Sequence, residues 1–577
     1  MILTVDYTKL AHLVTGKQSR ELDRLAIHHS GLSGFTLMET AGKGAAEELI
    51  RYYSDFYAEK EDDVRHHRVR SSISASEKTA RKKVQVLCVC GKGNNAGDAL
   101  AAARYLVLSG HFHVDIFLAA GQDSLTEDTT RNLDLFRQFS PTSHYYSSLE
   151  EALYPTSAES TEYQVVVDGL LGTGVQAPLR EPYVALIHVM NVWRENRDRT
   201  LVVSMDLPSG LHADTGHSTG AVVHADLTCS LGPVKTGHLL HQGPYSSGKV
   251  IPITLSFPLH LHKGYLRRFD LTDRSGLSGA AIPYARRTDK TSHKYDQGVV
   301  YVIGGSPGLT GAAIMASRAA WKKGAGAVFL ATPDALLHSI EDQVPELIKI
   351  QTGTGHSVFQ PQDATILASQ IKKRPGAVLI GPGLGKAPVE NGFLRTLLEI
   401  IPDLPLVLDA DALRGWTLDE FRRWRIASLD CSSDKKERGR SGSPIVFTPH
   451  PGEAGELFND IEPGPESVEN WGFISDDPTL RRLQVASEVS SRYEVTICSK
   501  GNPTGVSTPH FQAISGYASE GFHRAGFGDV LSGQIVANLS FGTDPAHAVL
   551  DALLHGFEIF TIKSRELTSP VSPEDIL

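Results

Sequence analysis

Short apolar runs alternate with amphipathic stretches along most of the chain. Val84–Val89, His113–Leu118, Tyr163–Val167, Leu201–Met205 and Val250–Leu255 each read as a buried strand. Between them, Asp98–Leu108 and Thr126–Phe139 repeat apolar residues at helical spacing. Strands alternating with helices predict βαβ units and a mostly parallel sheet. From Ser256 to Thr291 the periodicity fades into Pro, Gly and basic residues, which predicts a linker at 256–290. Alternation resumes at Val299–Ile303 and ends in a helix around Ala546–Ser564. Two α/β domains are therefore expected, at 1–255 and 291–577. Two inserts, the charged stretch Tyr57–Lys83 and the Ser-, Lys- and Arg-rich Cys431–Ser443, are expected to be solvated and mobile.

A length of 577 residues agrees with more than one core. The net charge of −10 argues against nucleic acid or a membrane surface as a general partner, because both repel a negative protein. No apolar run reaches the roughly 18 residues of a membrane span, and Met1–Ser30 has no signal-peptide core. The five cysteines are scattered, and Cys88 and Cys90 alternate onto one strand face. They read as reduced packing residues, and the expected location is the cytoplasm.

The chemistry concentrates at strand ends. Val86–Val89 runs into Gly91-Lys92-Gly93-Asn94-Asn95-Ala96-Gly97-Asp98 and then an Ala-rich helix. A strand, a Gly-rich turn and a helix start form an anion cradle, although a tight structural turn has the same pattern. Asn94, Asn95 and Asp98 add oxygens that no turn requires. Asp168 precedes Gly169-Leu170-Leu171-Gly172-Thr173-Gly174, and Asp206 precedes Leu207-Pro208-Ser209-Gly210. Each acid alone could be a helix cap, but in an open parallel sheet all three strand ends face one crevice.

These motifs, with Leu37–Gly42, Asp214-Thr215-Gly216 and Lys235-Thr236-Gly237, resemble the NAD(P)HX epimerase family over roughly residues 20–255. The resemblance implies a Rossmann-like three-layer sandwich with a potassium ion beside the substrate. It places the ion on Asn95, Asp168 and Ser209. It places the hydrated nucleotide on Asn94, Asn95, Ala96, Gly97 and Asp98, on Gly172, Thr173, Gly174, Val175, Gln176, Ala177 and Pro178, and on Asp206. Epimerisation at the hydrated ring carbon needs a positioned acid or base, for which Asp168 is the candidate, with Lys235 as its partner. Ala96 and Ala99 stand where the family usually has glycine, and their methyls are expected to narrow the approach to the pyrophosphate.

In the second half, Gly526-Phe527-Gly528-Asp529 opens a small-residue helix, a turn that reads either as an anion site or as a capped helix. Its acid suits removal of a proton from a substrate hydroxyl during phosphoryl transfer. Five further strand ends carry Gly304-Gly305-Ser306-Pro307-Gly308, Gly381-Pro382-Gly383-Leu384-Gly385, Asp409-Ala410-Asp411, Thr448-Pro449-His450-Pro451-Gly452-Glu453 and Ser499-Lys500-Gly501-Asn502-Pro503-Thr504. Together they resemble the NAD(P)HX dehydratase family, a ribokinase-like branch, over roughly 291–577. The resemblance makes Asp529 the base and Gly528 part of the anion hole. Ala312, Gly385, His450 and Asp529 would meet the hydrated nucleotide, and Lys500, Gly501, Asn502, Pro503 and Thr504 would hold the donor. The donor would be ADP, favoured by the fusion, or ATP, with magnesium. The family's Asn-Pro turn before the GxGD is replaced here by Ala518–Arg524.

The implied substrates are NADHX and NADPHX, and a homo-oligomer is expected. Two other readings stay open at this point. One is a ribokinase-like kinase for a small alcohol, and the other makes the first half a non-catalytic interaction module, against which Asn95, Asp168 and Asp206 argue.

Overall fold

The computed structural model describes residues 10–67, 83–148, 163–175, 177–196, 200–257, 266–269, 293–352, 355–401, 404–414, 417–421, 423–424, 443–516, 522, 524–567 and 569–577. They divide into two compact units, His12–Gly264, and Tyr265–Leu577 with Met1–Ala11.

The His12–Gly264 unit is built on seven parallel strands. Their spatial order is Tyr145–Tyr146, Phe112–Leu118, Val84–Cys90, Val165–Gly169, Leu201–Met205, Leu227–Leu231 and Lys249–Ile253. Side chains alternate between two cores. Val86, Cys88 and Cys90 pack under the helices Gly34–His67, Asn94–Leu108 and Glu127–Phe139. Leu87 and Val89 pack under Tyr183–Asn196 on the opposite face. The result is the three-layer α/β/α sandwich expected of central strands that are buried on both faces. Chain order reverses between Val84–Cys90 and Val165–Gly169, so a crevice opens at the carboxyl ends of those two strands. The four described cysteines, Cys88, Cys90, Cys229 and Cys498, are free and buried, in agreement with a packing role.

The second unit has the strand order Ile348–Ile350, Ala327–Ala331, Val299–Ile303, Ala377–Ile380, Leu406–Leu408, Ile445–Phe447 and Thr496–Ser499, all parallel. Gly505–Ser507 and Gln512–Ser515 then continue the sheet antiparallel. The helices Thr310–Lys322, Phe527–Ser540 and Pro545–Glu566 cover one face, and Pro361–Lys373, Phe393–Ile400 and Pro478–Tyr493 cover the other. The reversal of chain order falls between Val299–Ile303 and Ala377–Ile380.

Two sequence expectations change here. Leu266–Phe269, inside the predicted linker, is a strand that lies parallel to Gln512–Ser515 with Leu266 and Phe269 fully buried. Two buried positions flanking Arg267 and Arg268 are too short a pattern to register as a strand in the sequence. The first part of the predicted insert Tyr57–Lys83 is helical, because the helix that starts at Gly34 continues to His67. Residues 68–82 and 431–442 lie outside the described residues. Among the described residues, no helix is long and apolar enough to cross a membrane.

Candidate active sites

In the first unit the crevice is lined from three strand ends. After Cys90 the chain turns so tightly that a Cβ on Gly91 would sit 2.0 Å from the Leu170 carbonyl, which leaves glycine as the only residue that fits. Gly93 caps the helix Asn94–Leu108 without a side-chain acceptor, so its first backbone N–H groups stay available to an anion. Asn95 is buried, and its amide donates to the Leu171 carbonyl at 2.9 Å. Its Oδ1 is buried with no hydrogen-bond partner among the described residues.

Asp168 lies beneath this turn with no exposed surface. Oδ1 accepts from Leu170 N–H at 3.2 Å and Ser209 Oγ at 2.5 Å, and Oδ2 accepts from Ser204 Oγ and Ser209 N–H, both at 2.8 Å. Burial raises the Asp168 carboxyl above its usual range, with the Ser209, Ser204 and Leu170 donors pulling the other way.

Lys235, the expected partner of Asp168, pairs with Asp206 instead. The reason is local backbone geometry: Asp206 adopts φ +63°, a left-handed conformation that Asp tolerates better than most residues, and this aims its carboxylate at the lysine. The Lys235 ammonium, fully buried, donates to Asp206 Oδ1 and to the Leu231 carbonyl at 2.7 Å, while Leu231 N–H donates to Asp206 at 3.0 Å.

Two more acids join this pair electrostatically. Burial, then Asp206 and Asp23, push the Asp98 carboxyl well above its usual range, with Lys235 opposing. Asp23 is pushed up to about 6, mainly by burial and partly by Asp206, again against Lys235. Asp23 rides on the helix Gly16–Ser30, whose first N–H donates to Asp214 at 2.5 Å. From the same helix Arg20 reaches the Thr173 carbonyl at 2.9 Å. The segment 172–178 thus borders the crevice, with Gln176 outside the described residues. Replacing Lys235 by Met would leave Asp206 buried without its cation, at a cost of about 3–5 kcal/mol. A lower melting temperature is expected, largely restored in the Lys235→Met/Asp206→Asn double variant, and differential scanning fluorimetry on the full chain reads both.

In the second unit, Phe527–Ser540 begins after Gly526, at φ +98°, and carries Asp529 in its first turn. The Lys500 ammonium bonds Asp409 Oδ1 at 2.7 Å and lies 3.4 Å from where a Gly528 Cβ would be, so it borders the helix start. Burial works against the Lys500 charge, but Asp409 and Glu453 outweigh it and hold its pKa above the usual value. Asp529 is pushed up to about 7, first by burial, then by Asp409 and Glu453, with Lys500 opposing. A cation, a helix N-terminus and a carboxyl that ionises near neutrality meet here, a combination suited to moving a proton beside a phosphate.

On the neighbouring strand ends, Gly385 at φ +81° donates to Asp411 at 2.9 Å. A Cβ on Gly381 would sit 1.7 Å from the Asp409 carbonyl, so the GPGLG turn must pass close to the DADAL turn. Ala312 is half-buried in the first turn of its helix. His450 is exposed and caps the helix Pro451–Leu457, its Nδ1 accepting from Gly452 and Glu453 N–H at 2.9 and 3.2 Å. Lys500, Gly501, Asn502 and Thr504 line a cavity with Gly528. Pro503 joins Asn502 through a cis peptide.

Comparison with known proteins agrees with this division. Residues 34–237 match the family model described as YjeF-related protein N-terminus, and residues 300–558 match that of NAD(P)H-hydrate dehydratase. Over 549 residues the chain is 31% identical to the bifunctional NAD(P)H-hydrate repair enzyme of Salinibacter ruber, covering 94% of this chain and 90% of that protein. The chain belongs to the bifunctional NAD(P)H-hydrate repair enzyme family. It is an enzyme with an epimerase half and a dehydratase half. It is also 28% identical over 555 residues to the enzyme of that name in Moorella thermoacetica, covering 94% and 91% of the two chains. Among solved structures it is similar to the ADP/ATP-dependent NAD(P)H-hydrate dehydratase of Bacillus subtilis co-crystallised with ATP and Mg2+. That match has 22% identity and a TM-score of 0.36, and covers 50% of this chain and 90% of that one.

In the epimerase half, the expectation for Ala96 and Ala99 is corrected. Both have no exposed surface and pack in the core beneath the sheet, so their methyls do not narrow the crevice. Sequence reasoning did not single out Asp23, Ser204, Asp409 and Glu453, which the structure brings to the two candidate sites. Asp409 and Glu453 stood in strand-end motifs that pointed to them, and Ser204 lay two residues before Asp206. Asp23 carried no such signal, since it is one acid among several on an amphipathic helix. Of Ala518–Arg524, where the turn before the GxGD departs from the family pattern, residues 518–521 and 523 lie outside the described residues.

Proposed function

We propose that this enzyme returns the hydrates of NADH and NADPH to the reduced nucleotides, by epimerising the hydrated ring carbon in the first unit and dehydrating one epimer in the second. The observation that carries the dehydratase reading is the convergence of Asp529, Lys500 and the Gly528 turn. Asp529 takes the proton of the substrate hydroxyl as its oxygen attacks the terminal phosphorus of ADP, or of ATP. The donor's phosphoanhydride P–O bond breaks and the nucleotide leaves one phosphate shorter. The substrate, now a phosphate ester, has a good leaving group. The ring nitrogen pushes electrons as the C–O bond breaks, inorganic phosphate departs, and loss of a proton from the adjacent carbon restores the dihydronicotinamide. Lys500 and the backbone N–H groups of the helix start bear the negative charge. Magnesium would accompany the donor's phosphates, next to the carboxylates Asp409 and Asp529.

In the epimerase half, the orphaned Oδ1 of Asn95 with Asp168, Ser209 and the Leu171 carbonyl forms an all-oxygen set that fits a hard cation such as potassium. The ion would supply fixed positive charge beside the bound nucleotide. We place proton transfer at the partly exposed carboxyls of Asp206, Asp98 and Asp23, with Lys235 fully buried as the cation behind Asp206, whereas Asp168 lies fully enclosed beneath the crevice.

The test follows near-ultraviolet absorbance of the dihydronicotinamide after mixed-epimer NADHX meets the full chain with ADP or ATP. Complete recovery, with inorganic phosphate released, is expected. A stable phosphorylated product without recovery would identify a small-alcohol kinase instead. Because Asp529 ionises at about 7 and acts as a base, kcat/KM for dehydration should fall tenfold per pH unit below that point and level off above it.

A further inference from the structure

The cavity beside Lys500 and Gly528 extends between the helices Phe527–Ser540 and Pro545–Glu566 and contains about 750 Å³ of open space, its mouth included. Away from Lys500 its walls are largely apolar: Phe522, Phe527, Leu531, Leu553 and Ile576. Gln534 interrupts them. It lies two turns along the same helix face as Phe527 and Leu531, at i+7 and i+3, and is only 3% exposed. No hydrogen bond joins its carboxamide to any described residue. Its polar atoms are not among the enclosed unpaired groups, so the carboxamide faces the open cavity, where a ligand can pair it.

The occupant follows from position. With the donor's phosphates at Lys500 and the Gly528 turn, its base falls in the apolar part of the cavity. This rests on the nucleotide-donor reading above. We propose that Gln534 determines the base specificity of the phosphoryl donor, its carboxamide oxygen accepting from the 6-amino group of adenine and its nitrogen donating to an adjacent ring nitrogen. The carboxamide's donor and acceptor match adenine's paired acceptor and donor. The aromatic and aliphatic walls give affinity for any purine, and Gln534 gives preference for one. A site built to hydrogen-bond a ligand group discriminates strongly against the analogue that lacks it, because its own buried polar group is then left unpaired.

The test is calorimetric binding to the full chain of ADP and of purine riboside 5′-diphosphate, which lacks the 6-amino group. Wild type is expected to prefer ADP by ~10- to 100-fold. Gln534→Met should collapse the preference to within about threefold, by weakening ADP and leaving the analogue unchanged. In dehydration, its KM for ADP should rise while kcat holds. Equal affinity of wild type for the two diphosphates overturns the proposal without needing a variant that folds. So does an equal loss of both in Gln534→Met, which marks a structural role. Wild type that binds neither diphosphate overturns the donor reading as well.

Discussion

Asp529→Asn is expected to lower kcat/KM for dehydration by about 10³-fold, leave epimerisation unchanged, and raise the melting temperature above neutral pH. The first effect is the loss of the only carboxyl in the first turn of the GxGD helix, where the substrate hydroxyl must give up its proton. The second follows from the separate compact units, since every epimerase residue lies in His12–Gly264. The third comes from linkage. The folded carboxyl holds its proton to about 7, against 3.8 for the ordinary group, so the stability it gives at low pH is lost as pH rises through 7. Above 7 the charged form costs of order 2–4 kcal/mol, reduced by solvent because the side chain is half-buried. Asparagine removes that cost. The gain in melting temperature should therefore be full at pH 8 and shrink towards pH 4. A variant that loses activity with no pH-dependent gain would show that Asp529 carries no penalty in the resting enzyme, and that its ionisation is tuned only by bound substrate.

That trade marks where the sequence was most readable. Strand ends with Gly, Asp and Lys signatures pointed to one crevice in each half, and the reversals of chain order lie beside Gly91 and Asp168 in one unit and beside Gly304 and Gly381 in the other. The logic was steric and topological, so it needed no side-chain detail: where a Cβ would strike a carbonyl at 2.0 Å or less, only glycine fits. The motif Leu37–Gly42 is legible in the same way, since a Cβ on Gly42 would lie 2.7 Å from the Ala102 backbone nitrogen, where two helices pack in close contact.

What the sequence did not show depends on side-chain direction. Ala96 and Ala99 follow a cradle, yet helical rotation turns their methyls into the core. Lys235 was assigned to Asp168, but the positive φ of Asp206 takes the lysine, and nothing in a one-dimensional pattern announces a left-handed aspartate. Asp23 enters the site only because Asp214, nearly two hundred residues further along the chain, docks the start of its helix. Leu266–Phe269 pairs with a strand of similarly distant sequence and has too few residues to show a period. The last two misses are long-range contacts overriding a local signal.

Asp168→Asn separates the two roles a buried carboxylate can have in the epimerase half. Four donors converge on Asp168, two of them backbone N–H groups that cannot turn away. An amide presents one acceptor oxygen and one NH2, so at least one buried donor is left unsatisfied, at about 1–3 kcal/mol. If Asp168 holds the cation with Asn95 and Ser209, wild type should melt higher in potassium chloride than in choline chloride of equal ionic strength, because an ion that binds only the folded state stabilises it. Asp168→Asn should abolish that difference and lower the epimerisation rate by about 10²-fold or more. Dehydration would then stall at the share of the reactive epimer, apart from slow spontaneous exchange. An intact potassium response with lost epimerisation would instead make Asp168 the proton carrier, and Asn95 with Ser209 the main ion ligands. Full epimerisation in the variant would remove Asp168 from the chemistry and leave its four hydrogen bonds as scaffold for the Leu170–Ser209 crossing. The potassium response discriminates because a purely structural carboxylate changes stability equally in both salts.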